Sequence, residues 1–216
     1  MKPNCNCPEF LVAVSVETMR NSDAYTIANF VPSKELMFRA AQGVFHAVDW
    51  QGKTVAIVCG AGNNGGDGYA LAGILMDSGV MSTIYTVSDK FSEDGAHYRD
   101  IAVQKGVKVR AFEENTDLKN YDIVVDCIFG TGFHGMPRGM AAEAIRAMNG
   151  SGAYVVSVDI NSGMNGDTGE AELAVKSDLT VSIGFYKKGH FLGQAPMLIG
   201  DLVNVDIGII LLPNEP

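Results

Sequence analysis

The stretch Gly60-Ala61-Gly62-Asn63-Asn64-Gly65-Gly66-Asp67-Gly68 constrains this chain more than any other. It follows an apolar run, Thr54-Val55-Ala56-Ile57-Val58-Cys59, that reads as a fully buried strand. It precedes Tyr69-Ala70-Leu71-Ala72-Gly73-Ile74-Leu75-Met76, which reads as a buried helix. Five glycines in nine positions let the backbone turn tightly and come close to a ligand. The helix behind them aims free N–H groups and the positive end of its dipole at that ligand. Two asparagines and an aspartate add amide and carboxylate groups in the same turn. The combination suits an anionic ligand with a polar, hydrogen-bonding head.

The rest of the chain alternates strands and helices. Strands are predicted at 53–59, 82–87, 107–111, 121–127, 153–160, 178–184 and 202–206, and helices at 67–78, 92–105 and 138–148. Two further helices, 16–30 and 34–49, are split by Val31-Pro32, with Ser33 as N-cap and Glu35 in the first turn. The β-α-β-α order implies an α/β fold with a parallel sheet covered on both faces. A length of 216 residues fits one such domain, taken as 15–212 behind an N-terminal tail of 1–14.

Composition narrows the function classes. Apolar residues make up 47% and charged residues 19%, enough for a sizeable core and unlike a disordered chain. A net charge of −9 argues against a nucleic-acid binder, which would carry a basic stripe. No apolar run approaches the roughly 18 residues of a membrane span. The N-terminus makes a poor signal peptide, and four cysteines form no disulfide framework. Cys5 and Cys7 lack the partners of a metal site, and Cys59 and Cys127 each end a strand as buried thiols. The expected setting is cytoplasmic and reduced.

The usual winding of such sheets places strand 53–59 beside strand 121–127, where the chain reverses direction and ligands bind beyond the strand ends. The loops after both strands are glycine-rich. The second is Phe129-Gly130-Thr131-Gly132-Phe133-His134-Gly135-Met136-Pro137-Arg138-Gly139. A third strand, Val155 to Val158, ends in Asp159-Ile160-Asn161-Ser162-Gly163. Three polar loops therefore converge on one edge. Gly60-x-Gly62-x-x-Gly65 by itself also fits a dehydrogenase fingerprint, with Asp89 as ribose acceptor.

Asp126 ends an apolar strand, where a carboxylate must be paired, hydrogen-bonded or bound to a cation. It reads either as a loop anchor or as a cation ligand. Asp159 holds the same position on the next strand, where a raised pKa would suit acid/base work. Ser162 and Asn64 add neutral oxygens, and such an oxygen set suits a hard cation. Lys187 and Lys188 read as phosphate-neutralising or as a solvated pair. His134 reads as an acid, a phosphate contact or an exposed loop residue, and Tyr69, Met76 and Met81 as core or edge packing.

Three stretches together, GAGNNGGDGYALAG, VVDCIFGTGFHGMPRG and VSVDINSGMNGDTG, resemble the YjeF N-terminal family, the NAD(P)H-hydrate (NAD(P)HX) epimerases. The resemblance extends to Met19-Arg20-Asn21-Ser22-Asp23, Leu36-Met37, Tyr186-Lys187-Lys188-Gly189 and Gly200-Asp201-Leu202-Val203, so it spans about residues 15–210. It implies a Rossmann-like three-layer α/β/α fold and interconversion of the R and S forms of NADHX and NADPHX. A separate or fused dehydratase would repair the S form. Carried over, Asn63, Asn64, Gly65, Gly66 and Asp67 would line the substrate. Gly130, Thr131, Gly132, Phe133, His134, Gly135 and Met136 would cradle its phosphates, and Asp159 would contact it. Asn64, Asp126 and Ser162 would bind a potassium ion (K+).

Two departures stand out. Asn161 replaces the proline of the family's Asp-Ile-Pro-Ser-Gly motif, which releases a fixed φ and adds a donor and an amide beside Ser162. Phe38 and Ala40-Ala41 replace an acidic residue and Ala-Gly after Leu36-Met37. The chain ends where a fused dehydratase would begin, as a stand-alone version would. A homodimer through the N-terminal helices is expected. Asp159 is the expected acid/base, with Asn63 and Asp67 orienting the ring and its amide. The competing reading from another class is a non-catalytic nucleotide-binding or interaction module, a role that relatives of this fold serve in mRNA decapping scaffolds. Such a module need not keep Asn64, Asp126, Asp159 and Ser162 together, and this chain keeps all four.

Overall fold

The structure, a computed structural model, describes residues 12–213, so the expectation for Cys5 and Cys7 lies outside the described residues. It opens with β1 (Ala13–Val14), α1 (Val16–Asn29) and α2 (Ser33–Ala47). The alternating part follows: β2 (Val55–Cys59), α3 (Asn63–Asp77), β3 (Ser82–Thr86), α4 (Glu93–Gln104) and β4 (Lys108–Ala111). Then come β5 (Ile123–Cys127), α5 (Gly139–Asn149), β6 (Tyr154–Val158), β7 (Leu179–Ile183), β8 (Tyr186–Lys187) and β9 (Asp201–Val205).

Seven strands form one parallel sheet in the order β4-β3-β2-β5-β6-β7-β9. The chain winds outward from β2 to β4, then returns to place β5 on the other side of β2, with Cys59 beside Cys127. This is the expected switch point. Side chains of β2 alternate between two cores. Val55, Ile57 and Cys59 pack with α2 and α3, whereas Ala56 and Val58 pack with Ile145 and Met148 of α5. Both faces are therefore covered, which is why β2 and β5 read as unbroken apolar runs. Among the described residues no helix is long and apolar enough to cross a membrane.

Most boundaries shift by a residue or two, and three differences bear on the fold or the site. Ala13 and Val14, at the end of the stretch read as a tail, pair in parallel with Tyr186 and Lys187. Pro32, not Ser33, caps α2, and Ser33 is its first helical residue. Helix α3 begins at Asn63, four positions before the expected start, with Gly62 as its N-cap. Glycine's poor helix propensity hid this start. The helix keeps these glycines because its first turns press too closely on neighbouring main chain and side chains to admit a Cβ. A Cβ on Gly65 would lie 2.2 Å from the Gly60 carbonyl oxygen, and one on Gly68 would lie 2.7 Å from Cys59 Sγ. Met81, read as packing, is 79% exposed ahead of β3.

Alanine at a helical glycine ordinarily gains about 1 kcal/mol. Here the clash with backbone reverses the sign, so Gly65→Ala is expected to lower unfolding free energy by about 1–3 kcal/mol. Gly132→Ala, with open space around it, is expected to stay within about 0.5 kcal/mol of the parent. Urea titration of both variants checks this, and a neutral Gly65→Ala would contradict the packing argument.

Candidate active site

Beyond the carboxyl ends of the central strands lies a cleft of about 790 Å³. Asn63, Asn64 and Asp67 line it from α3, and Gly130, Thr131, Gly132, Phe133 and His134 from the loop after β5. Asp159 lines it from the end of β6. Gly65 and Gly66 are buried inside α3 and do not line the cleft; Gly135 and Met136 are exposed and lie outside its lining. Asp126 and Ser162 are fully buried, also outside the lining. Asp89 of the dehydrogenase reading is exposed and lies outside it too.

The start of α3 is built for an anion. No side chain caps it, and its first ladder bond runs from Gly66 N–H to the Gly62 carbonyl at 3.3 Å. The N–H groups of Asn63, Asn64 and Gly65 precede that bond and point out of the helix end. The facing loop is stiffened by Phe129 and Phe133, whose rings stack at 4.2 Å between centroids.

Asp126 fastens two of the loops. Its Oδ1 accepts from Ile128 N–H at 3.2 Å and from the Ser162 hydroxyl at 2.5 Å. Its Oδ2 accepts from Ser162 N–H at 2.8 Å and the Ser157 hydroxyl at 3.0 Å. Burial raises its pKa, against the opposing pull of these donors. Ser162 Oγ in turn accepts from Phe129 N–H at 2.8 Å, and Asn64 Nδ2 donates to the Phe129 carbonyl at 2.8 Å. Asn64 Oδ1 is buried with no hydrogen-bond partner among the described residues. An orphaned buried oxygen is costly unless something electropositive meets it. Of the three residues expected to hold a cation, Asn64 offers an open oxygen, of the neutral kind that suits a hard cation, while the oxygens of Asp126 and Ser162 are engaged with each other and with protein N–H and O–H groups. Asn161, in the proline's place, compensates by tethering: its Nδ2 donates to the Val175 and Leu198 carbonyls at 3.0 and 2.9 Å, and its Oδ1 accepts from Thr180 at 2.8 Å.

Asp159 is the one non-glycine among the described residues with positive φ, at 69°. Such a conformation costs of order 1–3 kcal/mol and persists only where the surroundings hold it. Its carboxylate pairs with Lys187 Nζ. The sequence offered Lys187 as a phosphate contact, but the residue is fully buried and turned into the protein; Lys188 beside it is exposed. Asp67, half-buried, is pushed well above the usual carboxylate range by burial, then by the charges of Asp159 and Asp23, with Lys187 opposing. Asp23 on α1 is raised by burial and by Asp159. Among the carboxyls of the cleft, Asp67 and Asp23 are thus biased toward the neutral acid and Asp159 is paired with a cation.

The resemblance brought the N-terminal helices to the site through Met19 to Asp23 and Leu36-Met37, without a role for any single residue, and they form part of a second wall. Met19, Leu36 and Met37 of the N-terminal helices and Ile207 and Ile209 of the C-terminal segment make it apolar. Buried Ser22 and Thr26 stitch these together: Leu212 N–H donates to Ser22 Oγ at 3.0 Å and Ile210 N–H to Thr26 Oγ1 at 2.9 Å. The buried polar residues on one side of α1 were the available signal. Of the departures, Ala40 lines the cleft, while Phe38 stacks on Tyr98 of α4.

His190 is buried, and its pKa is lowered to about 4 by burial and then by Lys187. Between about pH 4 and 6.5 the unfolded chain binds a proton here that the native state refuses, so native stability falls on acidification through that window. His190→Gln removes this contribution. The stability gap between parent and variant is therefore expected to shrink by about 2–3 kcal/mol from pH 7 to 4.5, read by urea unfolding. A constant gap would contradict the neutral, buried imidazole.

A family model described as "YjeF-related protein N-terminus" matches residues 33–189. The chain is 37% identical over 196 residues to an NAD(P)H-hydrate epimerase of Limosilactobacillus reuteri (strain DSM 20016), covering 88% of this chain and 92% of that one. It is 37% identical over 158 residues to a bifunctional NAD(P)H-hydrate repair enzyme, Nnr, of Thermofilum pendens, covering 69% of this chain and 30% of that one. The fold is similar to the crystal structure of yeast ynu0, YNL200c, with a TM-score of 0.72 and 21% identity, covering 90% of this chain and 87% of that one. By its motifs, its fold and these matches, the chain belongs to the YjeF-related N-terminal family.

Proposed function

We propose that this chain is an NAD(P)H-hydrate epimerase, an isomerase that interconverts the R and S forms of NADHX and NADPHX. The observation that carries the reading is Asp159: a strained strand-end carboxylate in a cleft that also contains an uncapped helix start and a glycine loop. The names borne by the relatives support it. Such a dinucleotide has a diphosphate for the N–H groups of α3 and the 130–134 loop, and a hydrated ring for the carboxyl-bearing end.

Epimerisation at ring C6 requires the bond to the hydroxyl, or the ring C–N bond, to break and re-form on the other face. Either path needs a proton delivered and later removed. Asp159 performs both transfers in this reading. Asp67, favoured in its neutral form, offers a donor to the ring amide, and Asn63 helps orient it. Potassium would be held by Asn64, Asp126 and Ser162 and would add fixed positive charge near the diphosphate. A dehydratase specific for the S form consumes the product, in keeping with the bifunctional relative.

The test is a coupled assay. Equal R and S NADHX are given to an S-specific dehydratase, and NADH absorbance is followed with and without this protein. Complete, rapid recovery only in its presence is expected; half the material left unrepaired beside folded protein would refute the reading. Asp159→Asn should lower turnover by roughly 10²-fold or more with the fold retained in a thermal melt, and near-normal turnover would remove Asp159 from its role. Asn64→Ala should weaken the dependence of rate on potassium concentration. An unchanged potassium titration would take Asn64 out of the cation site.

A further inference from the structure

We infer that Lys187 and His190 are a positioning pair for Asp159: they close a buried ring of hydrogen bonds that seats this carboxylate with one oxygen committed and the other free. The inference rests on the role proposed above for Asp159. Neither residue lines the cleft, so each acts through Asp159 and not on a ligand.

Lys187 Nζ donates to Asp159 Oδ1, to the Ile183 carbonyl at 2.8 Å and to Ser182 Oγ at 3.3 Å. An ammonium has three protons, and three acceptors use them all, leaving none for a phosphate. The backbone N–H of Lys187 donates to His190 Nδ1 at 3.2 Å. That bond sets the tautomer, so the proton sits on Nε2, which donates to the Asp159 carbonyl at 3.1 Å. Asp159 N–H completes the seat by donating to the Val181 carbonyl at 2.7 Å. Both backbone groups flanking the left-handed residue are thus tied, and so is Oδ1.

Oδ2 faces the other way. It lies 3.4 Å from where a Cβ on Gly130 would sit, and that spot is equally 3.4 Å from Asn64 Cβ. The free oxygen therefore looks toward the glycine loop and the start of α3. The charged and titratable groups turned toward Asp159 are Asp23 on α1, Asp67 on α3, Lys187 on β8 and neutral His190 after it. Lys187 is the cation among them, and it is the group that pairs with the Asp159 carboxylate. The support is itself anchored: Lys187 pairs with Val14 of β1, and Gly189 N–H donates to the Gly166 carbonyl at 2.8 Å.

The experiment compares the full chain with His190→Phe, which keeps the bulk and loses both ring nitrogens, His190→Gln, which keeps a donor, and Lys187→Met. Steady-state kinetics on NADHX and crystal structures of the variants are read together. Expected are kcat losses of about 10- to 100-fold in His190→Phe and Lys187→Met with KM changed less than threefold. His190→Gln should restore most of kcat, and the Asp159 carboxylate should be displaced by roughly 1 Å or more in His190→Phe. Undiminished kcat in an active parent's variants, or an Asp159 that stays seated in His190→Phe, overturns the proposal. If the parent itself does not epimerise NADHX, the function reading fails. The pair is then judged by the structures alone: a displaced Asp159 upholds it, a seated one overturns it.

Discussion

A buried carboxylate at the end of β5 sets the terms for everything around it. Asp126 has no exposed surface and accepts four hydrogen bonds, from Ile128, Ser157 and twice from Ser162. Without those donors its desolvation would cost several kcal/mol. The loops after β5 and β6 must therefore come to it, and in doing so they meet each other through Phe129 and Ser162. Asn64 then joins from α3 by way of the Phe129 carbonyl. One charge, satisfied locally, thus brings three loops into register at the switch point of the sheet.

The cleft above that network has a chemical problem to solve. It must admit an anionic dinucleotide while carrying aspartates on several of its walls. Burial pushes Asp67 and Asp23 toward their neutral forms, and Lys187 compensates Asp159 from beneath. In the function proposed above, positive potential for a diphosphate would come from the backbone N–H groups at the start of α3, with Arg20 also lining the cleft. That reading separates a phosphate-facing region of main chain from a reacting region of side chains. The apolar wall from α1, α2 and the C-terminal segment lines the cleft beside the carboxyls.

What the sequence disclosed follows from the range of the interactions involved. β2 and β5 were legible because five consecutive buried positions in each had to be apolar or, at Asp126, conspicuously not. The three glycine-rich loops were legible because turn chemistry is local. The start of α3 was misread because Asn63 to Gly68 has weak helix propensity, and the tertiary contact that favours glycine there comes from Gly60 and Cys59. β1 and β8 have two residues each, too few to show a period. Lys187 looked like any loop lysine. Its partner Asp159 lies 28 residues away, and nothing local announces that its side chain turns inward. Asp23 stayed silent for the same reason, since its meaning arises only when α1 lies over the ends of the strands.

The central claim is directional: the reacting ring belongs at Asp159 and the diphosphate at the start of α3. A crystal structure of Asp159→Asn soaked with NADHX tests it directly. The account predicts the hydrated ring carbon within hydrogen-bonding reach of residue 159, the diphosphate against the N–H groups of Asn63 to Gly65, and density for a cation beside Asn64 Oδ1. A dinucleotide bound in the reverse sense, with its adenine beside residue 159 and the hydrated ring at the far end of the cleft, would contradict it.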